Sequence, residues 1–324
     1  MKILFTSVGR RVELVQSFKK AASELNTNLL IYGADIVDSA PALQFCDRTV
    51  LLPKIKSDEY IPTLLKYCSK ENIDCLIPTI DTDLLILSKN AKEFQKIGTK
   101  VIISSTNKIE ICRDKNLTAN YFLSLGLDAP QTVNDVKKYN NPFPAFIKPK
   151  DGSSSKNAFK VETYSDLELY AKKIGDYVIQ QFVEGVEYTV DIMCDFDGNP
   201  IYITPRERMI VRAGEVLKTR ICQDDTIISE MKTLISDFKP IGPITVQLIQ
   251  NKETNKNYYI EINPRFGGGA PLSCKAGADS AKALINLING EKLEYKPYAA
   301  RHNEIYSRFD QSICVQKGYE NGNS

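Results

Sequence analysis

This 324-residue sequence contains a single histidine, His302, and its eight cysteines form no CxxC pair or other metal-ligand spacing. Zinc sites and Ser-His-Asp hydrolases both draw on histidine, so this composition argues against both. The cysteines are expected to be reduced and mostly buried thiols, as in a cytoplasmic protein. The net charge is only +2, and basic and acidic residues are interspersed, which argues against a nucleic-acid partner.

Long apolar runs are lacking as well. The apolar stretch at residues 3–8 is too short for a signal-peptide core, and no later run approaches the roughly 20 residues that cross a bilayer. We therefore expect no membrane partner. With 43% hydrophobic and 25% charged residues, the chain has the composition of a globular protein with a substantial core and two or three subdomains.

The first part of the chain alternates short apolar strands with helical stretches. Strands are predicted at residues 2–7, 28–34, 49–52, 74–78 and 99–104, and helices at 10–25, 58–70 and 83–89. Continuous apolar strands separated by helices are typical of an open parallel α/β sheet. This pattern predicts a first domain over residues 1–112.

The pattern changes after residue 112 to many strands and few helices. Strands are predicted at residues 145–148, 158–161, 177–182, 187–194 and 200–205, followed by an antiparallel pair at 244–250 and 257–262. Helices are predicted at residues 113–125, 165–173, 224–238 and 280–289. Ser165 is the expected N-cap of the second of these helices, with Glu168 completing a capping box. The polar tail from residue 319 is predicted to be disordered.

The most specific motif is the segment 259–269, YIEINPRFGGG. Side chains alternate along a strand, so Glu261 and Asn263 share one face and present oxygen ligands suited to Mg2+. Pro264 ends the strand, and Arg265 begins a loop from which its planar donors can reach a phosphoryl group. The following glycines allow close approach of a ligand. The alternative is a strand edge followed by a flexible glycine turn.

A second motif is the segment 144–157, PAFIKPKDGSSSKN. A strand delivers Lys148 to a loop of small residues that can close over phosphates. Taken alone, this loop is equally typical of a plain surface turn, and it is not a P-loop.

A third motif is the segment 178–188, VIQQFVEGVEY, in which a buried strand leads into a hinge and then to Glu187. A hinge backbone can bind an adenine edge, and an acid after it can bind ribose hydroxyls. Taken alone, an ordinary strand–turn–strand explains this segment equally well.

In their order along the chain, 144–157, then 178–188, then 259–269, the three motifs resemble the ATP-grasp superfamily, and most closely the single-module relatives of the carbamoyl-phosphate synthase large subunit. The resemblance covers roughly residues 1–310. It implies a parallel pre-ATP-grasp domain at 1–112 and an ATP-grasp fold of two α+β subdomains. These are a lid subdomain at 113–186 and a catalytic core at 187–318, before a tail at 319–324.

The resemblance also implies a role for individual residues. Arg265 and Lys148 are the predicted catalytic residues, and Gln247, Glu261 and Asn263 are the predicted ligands of Mg2+, with Mn2+ as an alternative. The predicted ATP-binding residues are Lys115, Lys148, Gly152, Ser153, Ser154, Ser155, Gln180, Gln181, Phe182, Val183 and Glu187. The chain departs from its relatives at the hinge, where Gln180 and Gln181 replace a frequent glutamate, and in a lid that is rich in serine.

A second group of residues is assigned to substrate. Arg206, Arg208 and Arg220, with Gly267 and Gly268, are predicted to bind an anionic substrate; the alternative for the arginines is a solvated hairpin. Asp35, Asp81 and Asp83 follow predicted parallel strands, where ligands bind in such sheets, so they are candidates for recognising a substrate amine. Helix capping is an equally good explanation for these three aspartates.

The implied activity is an ATP- and Mg2+-dependent ligase. It would activate a carboxylate as an acyl phosphate for attack by an amine, with release of ADP and phosphate. The alternatives are phosphorylation of bicarbonate or carbamate, as in carbamoyl-phosphate synthase, and a nucleotide-binding regulatory module without turnover. The expected partners are small-molecule substrates, with a homodimer as the default assembly. The sequence does not name the carboxylate or the amine.

Overall fold

The computed structural model describes residues 1–150 and 157–315, and it divides into two compact units. The first unit comprises Met1–Ile102 together with residues 309–315, and the second comprises Ile103–Arg308. The predicted lid residues 152–155 and the predicted tail lie outside the described residues. Within the described part of the chain, no helix is long and apolar enough to span a membrane.

The first unit is built on a parallel sheet. Its strands are β1 (Lys2–Thr6), β2 (Leu30–Asp35), β3 (Arg48–Leu51), β4 (Cys75–Pro78) and β5 (Lys100–Val101), in the order β3-β2-β1-β4-β5. Its helices are α1 (Val12–Glu24), α2 (Tyr60–Glu71) and α3 (Leu84–Lys96). The predicted open parallel α/β sheet is therefore confirmed.

Burial explains why these segments form this sheet. Strand β1 lies at the centre between β2 and β4, and its residues from Ile3 onwards are fully buried. Helix α1 buries Leu14, Val15 and Phe18, and the ring of Phe18 packs edge-on against Phe5 with centroids 5.1 Å apart. Continuous apolar strands are what a central parallel strand requires.

The second unit combines helices with two antiparallel sheets. Its helices are α4 (Thr106–Arg113), α5 (Lys115–Ser124), α6 (Tyr164–Ile174), α7 (Asp225–Phe238), α8 (Ala270–Ala276) and α9 (Ser280–Ile288). The smaller sheet contains β6 (Thr132–Val133), β7 (Ala145–Pro149), β8 (Phe159–Val161) and β9 (Tyr177–Gln181), in the order β6-β9-β7-β8. The larger sheet contains β10 (Gly185–Cys194), β11 (Pro200–Arg212), β12 (Glu215–Ile221), β13 (Pro243–Asn251), β14 (Asn257–Asn263) and β15 (Ile305–Ser307), in the order β14-β13-β10-β11-β12-β15.

The larger sheet has one apolar face and one polar face. Val190, Val246 and Ile262 belong to a buried cluster that also contains Phe122 of α5 and Leu234 of α7. Because side chains alternate along each strand, the residues between them face the other way. This second face carries the polar side chains of the motifs described above.

Four local predictions need correction. Helix α6 is capped by Thr163, whose side chain accepts from the backbone N–H of Asp166, rather than by Ser165 and Glu168. The predicted helix 113–125 is interrupted at Asp114, which caps α5, and α4 before it was not predicted. Strand β11 runs to Arg212 instead of residue 205. Strand β12 and helix α8 were missed.

Candidate active site

The register of the larger sheet aligns the predicted metal ligands. Gln247 on β13 is the cross-strand partner of Glu261 on β14 and of Thr189 on β10. One step further along, Asn263 is opposite Thr245. Directly opposite residues have Cβ atoms about 4.5–5.5 Å apart, so the side chains of Gln247, Glu261 and Asn263 share a small area of the polar face.

A chain of hydrogen bonds connects the end of β14. The Nδ2 atom of Asn263 donates to Oε1 of Glu261 over 2.9 Å, and Nη2 of Arg265 donates to Oδ1 of Asn263 over 3.2 Å. Arg265 also donates from Nη1 to its neighbour's carbonyl, Phe266 O, over 3.1 Å. The guanidinium is therefore held beside the predicted metal ligands by geometry that the E-x-N-P-R sequence encodes locally.

The smaller sheet supplies a buried lysine. Lys148 on β7 is 8% exposed, and burial lowers the pKa of its ammonium group to about 8, although the charge of Glu261 opposes the shift and that of Lys115 adds to it. Lys115 is the first residue of α5, and its Nζ donates to the carbonyl of Lys150 over 3.2 Å. The ammonium groups of Lys148 and Lys115 thus lie near the carboxylate of Glu261. This combination of charges is suited to binding an anion together with a divalent cation.

A cavity of about 910 Å³ joins the two sheets of the second unit. Its volume lies within the range typical of small-molecule sites. Ten of the predicted site residues line it, namely Lys115, Lys148, Gln180, Gln181, Phe182, Val183, Glu187, Arg208, Gln247 and Glu261. The three sequence motifs therefore meet around one cavity.

The two hinge glutamines occupy different faces of β9. Gln180 is opposite Phe146 of β7, so its side chain lies on the cavity face with Phe146 and Lys148. Gln181 is opposite Ala145, on the face that packs into the core of the smaller sheet. The ring of Phe182 lies 4.8 Å from the ammonium of Lys160. Gln180 is therefore the hinge glutamine whose side chain can reach a ligand.

Glu187 and Arg208 form an ion pair at the cavity wall. The Nε atom of Arg208 donates to Oε2 of Glu187 over 3.1 Å, and both residues line the cavity. Arg208 also donates to Oγ1 of Thr189 and to the carbonyl of Gly214 at the β11–β12 turn. These hydrogen bonds fix the guanidinium of Arg208 between Glu187, the predicted ribose ligand, and the β11–β12 turn.

The other predicted substrate residues lie outside the cavity lining. Arg206 is 1% exposed and forms a buried pair with Asp191, whose Oδ2 also accepts from Ser273 Oγ at 2.6 Å. A Cβ atom on Gly269 would lie 2.5 Å from Nη2 of Arg206, so the glycine loop packs directly on this guanidinium. Arg220 is paired with Glu207. The three arginines of the predicted substrate group thus lie in different environments: Arg208 lines the cavity, Arg206 is buried beside Asp191, and Arg220 pairs with Glu207.

Sequence reasoning missed several residues that line the cavity. Phe146 lies two positions before Lys148 on the same strand face, so the period-two alternation could have found it. Met209 and Val211 belong to the part of β11 that was not predicted as a strand. Pro130 also lines the cavity, and nothing in its local sequence marks it.

The aspartates of the first unit are engaged in its own structure. Asp35 accepts from the backbone N–H groups of Gly9 and Ile36, at 2.8 Å each. Asp83 is fully buried and accepts from Oγ1 of Thr6 at 2.8 Å, and burial raises the pKa of its carboxyl group to about 6. Neither side chain caps a helix: Asp83 precedes α3 without a side-chain cap hydrogen bond, and Asp35 binds loop N–H groups at the end of β2.

The donor set at β13 and β14 fits Mg2+. Mg2+ prefers oxygen ligands and is usually held by one or two carboxylates together with substrate phosphates. Glu261 offers a carboxylate, and Gln247 and Asn263 offer amide oxygens on neighbouring strands. Over residues 1–150 and 157–315, no group of three or more His, Cys, Asp or Glu side chains is arranged to hold a metal. The residues present thus suit a cation shared with phosphate oxygens.

Two family models match the chain. Residues 3–102 match the PylC-like N-terminal domain, and residues 112–269 match the ATP-grasp domain. The second match contains all three motifs from Lys148 to Gly269.

Curated relatives include large chains of carbamoyl phosphate synthase. That of Thermotoga petrophila is 25% identical over 254 residues, covering 69% of this chain and 23% of the relative. That of a Thermoanaerobacter species is 24% identical over 315 residues, covering 89% of this chain and 29% of the relative. The chain thus spans about a quarter of the length of the curated relatives it matches.

Solved structures share the fold at low sequence identity. Biotin carboxylase from Campylobacter jejuni superposes with a TM-score of 0.72 at 18% identity, over 94% of this chain and 74% of that one. L-amino acid ligase from Bacillus licheniformis gives 0.70 at 19% identity, over 89% and 74%. N5-carboxyaminoimidazole synthetase from Staphylococcus aureus, complexed with ADP, gives 0.74 at 15% identity, over 91% and 78%. Residues 112–269 thus carry an ATP-grasp domain behind a PylC-like N-terminal domain, and the chain resembles one module of the carbamoyl-phosphate synthase large subunit.

Proposed function

We propose that this chain is an ATP- and Mg2+-dependent ligase that phosphorylates a carboxylate and transfers the acyl group to an amine, with release of ADP and phosphate. The observation that carries the proposal is the meeting of Lys148, Gln247 and Glu261 with the hinge in one cavity. A site that only bound a nucleoside would not need a buried cation facing a carboxylate at its far end.

The nucleotide would be held from the hinge to the end of β14. Residues 180–183 would contact the adenine, and Glu187, oriented by Arg208, would bind the ribose hydroxyls. Lys115 and Lys148 would bind the phosphates as point charges. Gln247, Glu261 and Asn263 would hold Mg2+, which neutralises phosphate charge and favours in-line transfer.

The protein groups then act mainly by position and charge. The substrate carboxylate would attack the γ-phosphorus in line, giving an acyl phosphate and ADP. Arg265 and Lys148 would stabilise the negative charge on the transferred phosphoryl group. The amine would next attack the acyl carbon and expel phosphate.

A second candidate is the phosphorylation of bicarbonate or carbamate. The specific support is the likeness to carbamoyl phosphate synthase large chains, which covers up to 89% of this chain. Both candidates use the same nucleotide site and differ only in the phosphate acceptor. ADP release stimulated by bicarbonate alone, without an organic carboxylate, would favour this second activity.

Ligand-dependent thermal unfolding tests the nucleotide site first. Wild-type protein, Glu261→Ala and the exposed-turn control Glu253→Ala are heated with no ligand, ATP, Mg-ATP or Mg-GTP. A ligand at 100 times its Kd stabilises the folded state by about 2.7 kcal/mol, which moves the midpoint by a few degrees. We expect a Mg-ATP shift in wild type and Glu253→Ala and a much smaller one in Glu261→Ala. No nucleotide shift in wild type would refute the proposal.

The proposal also covers the cellular compartment and the oligomeric state of the protein. Cys68, Cys75, Cys194 and Cys274 are buried free thiols, which supports a reducing compartment such as the cytoplasm. Assembly as a homodimer remains a prediction, measurable by light scattering.

A further inference from the structure

The loop at residues 265–269, which follows the predicted metal ligands, rests on two buried side chains of the larger sheet. Thr245 of β13 donates from Oγ1 to the carbonyl of Arg265 over 3.3 Å. A Cβ atom added to Gly267 would lie 2.8 Å from the same Oγ1. One added to Gly269 would lie 2.5–2.8 Å from Cζ, Nη1 and Nη2 of Arg206. The loop is therefore in direct contact with both side chains.

Space, and not backbone conformation, explains the glycines at positions 267 and 269. The φ angle of Gly269 is −96°, which residues with a side chain also adopt. Gly267 also lies outside the left-handed region. Carbon atoms in ordinary contact are about 3.5–4.0 Å apart, so a methyl group at position 269 would have to separate the loop from the guanidinium by about 1 Å.

Arg206 is held in place beneath the loop. Its Nε and Nη2 atoms donate to the two carboxylate oxygens of Asp191 over 2.6 and 3.3 Å, and such a bidentate pair fixes the plane of a guanidinium. Ser273 of α8, four residues after Gly269, donates from Oγ to the same carboxylate over 2.6 Å. The carboxylate thus connects the support of the loop with the helix that follows it.

This arrangement is not the best one for stability alone. Among the residues that the structure describes, none accepts a hydrogen bond from the buried Nη1 atom of Arg206. A buried donor without a partner destabilises the folded state, and well-packed apolar residues often replace a buried ion pair without loss of stability. Local features that cost stability are typical of functional sites.

We infer that Arg206, held by Asp191 and Ser273, is a positioning residue that fixes the height of the 265–269 loop above the sheet and so places Arg265 beside the transferred phosphoryl group. This inference rests on the proposed function, and it gives Arg206 an indirect role in place of a direct contact to substrate. It also explains Gly269 by its packing on the guanidinium instead of by the approach of a ligand.

The test compares the binding of Mg-ADP alone with that of Mg-ADP and fluoroaluminate, which takes the place of the phosphoryl group in transfer. Transition-state analogues bind more tightly than ground-state ligands, so the ratio of the two Kd values reports the placement of Arg265. Calorimetric Kd values are measured for wild type, Gly269→Ala, Arg206→Lys and the double variant. A lysine keeps a charge opposite Asp191 but lacks the bidentate pair, so it can move away from a methyl group.

A matched control separates the placement of the loop from the stability of the fold. Gly33→Ala adds a methyl group at an equally crowded glycine of the first unit, where a Cβ atom would lie 2.6 Å from Sγ of Cys46. Thermal unfolding should show a lower midpoint for Gly33→Ala and for Gly269→Ala, but Gly33→Ala should keep the wild-type ratio of Kd values. An equal loss of that ratio in the control would overturn the inference, since general packing damage would then explain both.

Wild type should bind Mg-ADP more tightly with fluoroaluminate than without it. Gly269→Ala should reduce this gain by about 10–10²-fold, as for a catalytic group displaced by about 1 Å, and leave the Kd for Mg-ADP unchanged. Arg206→Lys should reduce the gain several-fold, and the double variant should lose no more than Arg206→Lys alone. A full gain in Gly269→Ala, or the same loss from Gly269→Ala in both backgrounds, would overturn the inference alone. Failure of wild type to bind Mg-ADP, or to gain from fluoroaluminate, would overturn the proposed function as well.

Discussion

Arg208 donates from Nε to Oε2 of Glu187 over 3.1 Å, across the β10–β11 pair. The sequence predicts different ligands for the two residues, an anionic substrate for Arg208 and ribose for Glu187. In the structure they form an ion pair with each other. Arg208 also donates to the carbonyl of Gly214, which ties the ion pair to the hairpin turn. Arg208 is therefore better described as a positioning residue for Glu187 than as a direct contact to substrate.

Replacing Arg208 by methionine should raise the KM for ATP several-fold and leave the KM for the carboxylate unchanged. The reason is that Glu187 loses the charge-assisted bond that orients it. Steady-state kinetics in both substrates measure the split. Arg301→Met, which removes an exposed arginine paired with Glu304, serves as the reference variant. A selective rise in the carboxylate KM would show instead that Arg208 contacts the carboxylate substrate.

Replacing Arg265 by lysine should lower kcat by about 10²–10³ with little change in nucleotide affinity. The guanidinium is held by Asn263, and a lysine cannot reproduce both its bond to Asn263 and a second donor toward a phosphoryl group. Single-turnover rates and Mg-ATP titrations separate the two effects. An equal loss of binding and rate would show that Arg265 acts mainly in the ground state.

Breaking the Asp191–Arg206 pair should destabilise the second unit strongly. Removing one partner of a buried ion pair typically costs about 3–5 kcal/mol, because the other charge remains buried without compensation. We therefore expect Asp191→Leu and Arg206→Met each to lower the unfolding midpoint by many degrees, and the double variant to be more stable than either. Urea unfolding monitored by circular dichroism measures the cycle. Additive losses would mean that the two side chains are not coupled.

Changing Asp83 to asparagine should alter the pH dependence of stability. Burial raises the pKa of Asp83 to about 6 in the folded state, whereas an unfolded aspartate titrates near 3.9. Between these two pKa values, the folded protein keeps a proton on Asp83 that the unfolded chain has released. The contribution of this proton to folding stability is fully present below about pH 4 and is lost as the pH rises through 6. The loss is of the order of 2–3 kcal/mol.

Asp83→Asn should therefore gain stability relative to wild type as the pH is raised from 4 to 7. Thermal midpoints at one-unit intervals give the difference curve. Asp58→Asn, at an exposed position, should give a flat curve. A difference that stays constant for Asp83→Asn across this range would show that its carboxyl group titrates normally.

The sequence predicted the features that depend on nearby residues. The strands of the parallel sheet are continuous apolar runs, and E-x-N-P-R has its whole hydrogen-bond chain within five positions, so both could be read from local patterns. By contrast, Thr163 and Ser165 are both acceptable caps, and only the docked helix selects Thr163. Strand β12 carries Glu, Lys and Arg residues whose charges hide its alternation.

The roles of the arginines depend on partners far away in sequence. Arg206 and Arg208 find carboxylates 15 and 21 residues earlier, on a neighbouring strand whose register no local pattern specifies. Gln180 finds its hydroxyl partner 48 residues earlier. Such pairings follow from tertiary packing, so the sequence could indicate a group of cations but not which of them remain available to a ligand.

Strand β15 pairs with β12 through three residues, from Lys218 opposite Ser307 to Arg220 opposite Ile305. Without it, β12 would present a row of open backbone N–H and C=O groups to solvent. An uncovered edge of this kind is a template for strand addition and aggregation. A chain shortened to residue 304 would keep every proposed catalytic residue, yet it should self-associate through β12.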